Sequence, residues 1–204
     1  MSLIKDSGIN MIGSIASLLL GILTTPFLIQ YVGVERYGLL LLILAIMGYF
    51  TLLDLGFARA ISQRLSALSS KTPIEKSDVL WTAISVSSII GILGSIIALF
   101  FSRYYITSML KENTVIGEPF SSYGYWLLLM LPTALLTSIL QGALQSQLKF
   151  KASNSFQFVS NASSQLLPLA AAASGYVEMK TLLPLMLIPR TVILLAMFRY
   201  IRKD

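Results

Sequence analysis

The 204-residue chain contains no cysteine and no histidine. These two absences exclude disulfides, thiol nucleophiles, the usual zinc sites and a histidine general base. Charge is scarce as well. Only 12% of the residues are Asp, Glu, Lys or Arg, against roughly 25% in a soluble domain. With 55% hydrophobic residues and a mean hydropathy of +0.78, the chain lacks the polar groups to cover a globular surface. It must sit in lipid. A net charge of +6 in such a chain reports topology rather than nucleic-acid binding. No nucleic-acid partner, metal or cofactor is expected.

What the chain has instead is long apolar runs. A helix needs about 20 largely apolar residues to cross the hydrocarbon core. Six windows qualify: Ser7–Ile29, Gly38–Ala58, Val79–Phe101, Tyr123–Leu144, Phe156–Val177 and Thr181–Phe198. None alternates as a barrel strand would. The first is too long for a signal-peptide core and no clean cleavage site follows it. The reading is an all-α membrane protein, one bundle of six transmembrane helices over residues 1–204. Thr72-Pro73-Ile74-Glu75 reads as a capping box with proline at the first helical position, starting the third helix early.

Basic residues set the direction. One side carries Lys5, Arg59, Arg64, Lys71, Lys76, Lys149, Lys151, Arg199, Arg202 and Lys203. The other carries only Arg36, Arg103, Lys111 and Lys180. The richer side is cytoplasmic, so both termini are expected there. Tyr31, Tyr37, Tyr104, Tyr105, Tyr123, Tyr125, Trp126 and Tyr176 gather at the outer ends and read as an interfacial belt, while Trp81 and Tyr200 mark the inner ends.

Small residues mark helix packing in lipid. Gly13, Ser17, Gly21 and Thr25 recur every four residues in the first span, and Ala83, Ser87, Gly91 and Ser95 in the third. Both read as packing stripes. The fourth and fifth spans differ. Thr133, Thr137, Gln141 and Gln145 form one polar line. Gln157, Asn161 and Gln165, flanked by Asn154, Ser160 and Ser164, form another. Amides in hydrocarbon are costly unless hydrogen-bonded. The lines therefore read either as walls of a wet cleft or as glue between helices.

Arg190 is the sharpest single residue. It stands near the middle of the sixth window, with Pro189 beside it and Pro184 one turn earlier. An arginine at that depth costs about 2.5–3.5 kcal/mol on insertion scales, and each proline frees a backbone carbonyl. Two readings follow: a cavity-facing cation that binds an anion, or a structural ion pair. The acidic candidate within the spans is Asp54, which lies shallower and could instead anchor Arg59 or a helix end.

The stretch Leu20–Leu65 resembles a known family. It contains Thr25-Pro26-Phe27-Leu28-Ile29, then Tyr31-Val32-Gly33-Val34-Glu35-Arg36-Tyr37-Gly38, then Leu52-Leu53-Asp54-Leu55-Gly56 with Ala60 beyond. This is similar to the first hairpin of bacterial polysaccharide biosynthesis membrane proteins. These are the O-antigen flippases of the multidrug/oligosaccharidyl-lipid/polysaccharide exporter superfamily. The resemblance implies movement of undecaprenyl-pyrophosphate-linked oligosaccharide across the bacterial inner membrane by alternating access. It also implies two six-helix lobes, of which these 204 residues resemble the amino-terminal one. A truncated or half-length member is expected, working with a second six-helix half or a second copy. By motif, Asp54 and the turn glycines Gly33 and Gly38 carry over.

On this reading Arg190, Gln141, Gln145, Gln157, Asn161, Gln165 and Thr137 line the substrate cavity, and Asp54 and Arg59 are structural or coupling groups. The partners are the lipid-linked oligosaccharide and membrane lipid. A membrane enzyme is disfavoured, because acidic clusters for magnesium and any histidine are missing. The rivals that stay open are an ion-coupled drug exporter of the same superfamily and a non-transporting half that serves as an interaction subunit.

Overall fold

The computed structural model describes residues 2–68, 73–109 and 123–202, with side chains outside 2–14, 46–55, 57–58, 73–74, 102 and 105–109. Six α-helices follow one another: α1 (Ser2–Val32), α2 (Val34–Ala67), α3 (Pro73–Met109), α4 (Leu127–Ser146), α5 (Phe150–Ala173) and α6 (Met179–Arg202), with a 3-10 turn at Gly124–Trp126 leading into α4. No strand occurs among the described residues. Four stretches among them are long and apolar enough to cross a membrane: Ile15–Val32, Glu75–Phe101, Gly124–Ser146 and Met179–Arg202. Crossings by α2 and α5 remain expectations. α5 has 24 residues, but its Ser, Asn and Gln side chains dilute its apolar character.

The helices outrun the apolar windows. α2 continues to Ala67 and α3 to Met109, so 102–109, beyond the end of the third window, is helical. Apolarity sets the part of a helix that lipid accepts, and intrahelical hydrogen bonding continues past it. The fifth window errs the other way. It was drawn to Val177, yet α5 ends at Ala173. There the Tyr176 amide donates to the Ala171 carbonyl at 2.9 Å and the Gly175 amide to Ala172 at 3.0 Å, with Gly175 at φ 89°. That is a Schellman stop, and the left-handed position suits glycine. α4 stops the same way. Lys149 donates to Leu144 and Leu148 to Gln145, both at 3.0 Å, with Leu148 itself at φ 58°. α3 begins at Pro73, where the capping pattern places a helix start; Thr72 lies outside the described residues.

α1 and α2 are joined by one residue. Gly33 sits at φ 88°, ψ 153°, a conformation essentially reserved for glycine, and it reverses the chain between two long helices. The hairpin touches itself only lightly. α1 lies chiefly on α5, α2 on α4, and α4 also packs on α3 and α6. The main core runs through Leu39, Leu40, Ile43, Leu127, Leu131, Leu182, Leu183 and Leu187. Since α4 fills the middle and α1 leans outward onto α5, a gap is left where α1, α2, α5 and α6 converge.

Candidate functional site

α6 stays helical through Pro184 and Pro189. Prolines are tolerated in membrane helices when neighbouring groups satisfy the carbonyls they disturb. Pro189 frees the Leu185 carbonyl; next to it, the hydroxyl of Ser164 of α5 donates to the Met186 carbonyl at 3.1 Å. The same oxygen accepts from Arg190 Nε at 3.3 Å. Among the described residues no carboxylate pairs with Arg190.

Arg190 lines a cavity of about 220 Å³. Asn161 and Gln165 of α5 share its wall, as do Thr24 and Thr25 of α1 and Tyr37 of α2. Thr24 donates to Gln165 Oε1 at 3.3 Å, and the Thr25 and Tyr37 hydroxyls lie 3.2 Å apart. Both threonines also donate back to the Gly21 carbonyl. Leu28, Leu40, Leu44 and Met186 complete an apolar remainder. Among the described residues the wall thus presents one cation and several neutral hydrogen-bonding groups, without a carboxylate. Among the described residues no group of His, Cys, Asp or Glu could hold a metal ion.

The other expected cavity residues are not among its lining residues. Gln141 donates from Nε2 to Gln157 Oε1, joining α4 to α5. Thr137 donates to its own helix, at the Thr133 carbonyl, 2.6 Å away. Gln145 is exposed at the end of α4, and Arg59 is exposed on α2. The side chain of Asp54 lies outside the described residues.

The two small-residue stripes part company. On α3, Ala83, Ser87, Gly91 and Ser95 are all buried, on the helix that packs most closely with α4. A Cβ added at Gly91 would fall 2.8 Å from Pro132 Cα. On α1, Gly21 and Thr25 belong to the cavity wall instead. Nothing in residue type separates Gly21 from Gly91. The signal lies on the partner helix, which offers amides to one and a proline to the other. Thr24 and Tyr37 are wall residues that the sequence does not mark, while Ser164 flanks the amide line of the fifth span. Tyr37 reads from sequence as part of an interfacial belt, and Thr24 carries no periodic mark.

Comparison with known proteins gives two matches. Residues 3–204 match the family described as polysaccharide biosynthesis protein. A protein of Shigella flexneri named "Putative O-antigen transporter" is 26% identical over 150 residues, which take in 74% of this chain and 35% of that relative. The chain therefore matches about a third of that protein's length. No solved structure matches the chain.

Proposed function

The chain belongs to the polysaccharide biosynthesis protein family, a multi-pass membrane protein, and from that premise we propose that it serves the flipping of lipid-linked oligosaccharide. The substrate in this proposal is an undecaprenyl-pyrophosphate-linked unit such as an O-antigen repeat. It moves across the bacterial inner membrane by alternating access, through six spans with both termini cytoplasmic. The chain acts as one lobe, and a second six-helix half or a second copy supplies the facing wall.

One observation carries this reading: among the described residues the cavity wall holds a single cation, Arg190, among hydroxyls and amides, and no carboxylate. Moving a hydroxyl from water to hydrocarbon costs about 4–8 kcal/mol, so a glycan needs a polar corridor. Threonine, tyrosine, asparagine and glutamine can exchange hydrogen bonds with sugar hydroxyls, and an arginine holds phosphate through charge-assisted bonds. A cation-coupled drug exporter would instead want a carboxylate in the cavity.

The test uses a strain whose flippase contains this lobe. Arg190→Ala should abolish surface polysaccharide while the protein stays inserted and abundant. Arg190→Lys should keep part of the activity, because it retains charge but loses the bidentate fork. Arg190→Glu should be worst. Normal surface polysaccharide from Arg190→Ala at normal abundance overturns the proposal. Loss of the protein from the membrane would instead mark Arg190 as structural.

A further inference from the structure

Ser164 differs from several other hydroxyls of these helices in reaching the backbone of a neighbouring helix. Ser88 donates to Ile84, Thr82 to Asp78 and Thr133 to Leu129, each to the carbonyl four residues back on its own helix. That local bond is the least demanding way to satisfy a hydroxyl in a helix. Ser164, only 1% exposed, reaches across to α6 instead and donates to Met186. Its proton is thereby committed, so its oxygen faces Arg190 as an acceptor, and Arg190 Nε–H donates to it.

An arginine carries five N–H donors in a rigid fork: one at Nε and two on each Nη. It can grip an oxyanion side-on, through Nε and one Nη, or end-on, through both Nη groups. Ser164 occupies the Nε–H. We infer that Ser164 is a positioning residue that locks the Arg190 guanidinium and leaves only its end-on face for the ligand. The group gripped is an oxyanion with two oxygens in one plane with the fork, as in a phosphate or pyrophosphate. The ligand half of this inference rests on the anion-site reading above. The Arg190–Ser164 lock does not.

The experiment has two arms, both on a flippase that contains this lobe, purified in detergent micelles. The first follows the Nε–H signals of 15N-labelled arginine, with Arg190 assigned by the peak lost in Arg190→Lys. Its Nε–H should exchange slowly with water in the parent and in Ser164→Thr, and quickly in Ser164→Ala. The second measures calorimetric affinity for farnesyl pyrophosphate. Arg190→Ala should abolish measurable binding. Ser164→Ala should weaken it about tenfold and Ser164→Thr about threefold at most, and Ser164→Ala should cost nothing further beside Arg190→Lys, since lysine has no Nε–H to lock.

The outcomes separate. No binding by the parent, or binding unchanged by Arg190→Ala, overturns the anion-site reading and the ligand half with it, while the exchange arm still decides the lock. Loss of binding in Arg190→Ala with parent-like affinity and parent-like exchange in Ser164→Ala overturns the positioning role alone. An equal penalty from Ser164→Ala in both arginine and lysine backgrounds assigns Ser164 to helix packing and overturns the inference.

Discussion

Two seams in this bundle are written in almost the same alphabet and do opposite things. On α3, Ala83, Ser87, Gly91 and Ser95 close onto α4. On α1, Gly21 and Thr25 open onto a cavity. The first seam is sealed by backbone approach, since Gly91 lies directly against Pro132. Ser95 satisfies itself on the Gly91 carbonyl, and Ser87 Oγ is buried with no partner among the described residues. The second seam is held apart by side chains. A Cβ on Gly21 would meet the Gln165 amide at an ordinary 3.5 Å. Small residues therefore permit closeness, and the partner helix decides whether closeness is used. Proline presents a bare ring and accepts contact. Amides and a guanidinium occupy volume and keep hydrogen-bonding capacity that another molecule can use.

The comparison breaks first at Gly91. Gly91→Leu must push a side chain into the Pro132 backbone. Overpacking of this kind costs about 1–3 kcal/mol, occasionally more, and little chain should reach the membrane in folded form on an immunoblot. Normal abundance would mean that the α3–α4 seam is looser than it looks. Solvent access should sharpen the contrast next. The chain lacks cysteine, so Thr25→Cys, Asn161→Cys and Ser87→Cys can each be read against silence. A small water-soluble thiol reagent should modify the first two far faster than the third, and comparable rates at all three would erase the distinction between seams.

The amide bridge tests a third kind of contact. Replacing Gln141 or Gln157 with leucine should cost about 0.6 kcal/mol, the average for hydrogen bonds between membrane helices, and the double variant should cost no more than either single one. Additive losses in a steric-trapping measurement would show that the two glutamines act apart. Ser87→Ala should be neutral or stabilising by up to about 1 kcal/mol, because it removes an unsatisfied hydroxyl from a dry interface. The smallest effect belongs to Gly21→Ala, whose new methyl makes only van der Waals contact; its thermal midpoint should sit within error of the parent.

Helix positions were legible because apolar runs are long and leave few alternatives. Arg190, Asn161 and Gln165 were legible because ionised or amide side chains are expensive in lipid and need a reason to be there. The pairing of Gln141 with Gln157 was not. An amide facing water and an amide facing another amide have identical sequences, and only the packing of α4 beside α5 tells them apart. Thr24 was silent for a related reason: a hydroxyl can satisfy itself on its own helix, so its presence in a span raises no energetic alarm. Tyr37 belongs by position to the outer aromatic ring, and its link to Thr25 appears only once Gly33 has folded α2 back along α1.

The bond from Thr24 to Gln165 spans 141 positions of chain, and that separation has a consequence for biosynthesis. At roughly 5–20 residues per second, the ribosome adds Thr24 about 7–28 s before Gln165, and Arg190 comes later still. During that interval Thr24 waits in the bilayer bonded to the Gly21 carbonyl, a bond the nascent first helix makes unaided. Arg190, by contrast, enters a bilayer where Ser164 already stands. The self-satisfying threonines of α1 are early arrivals, and Arg190 comes when its partner Ser164 is already in place.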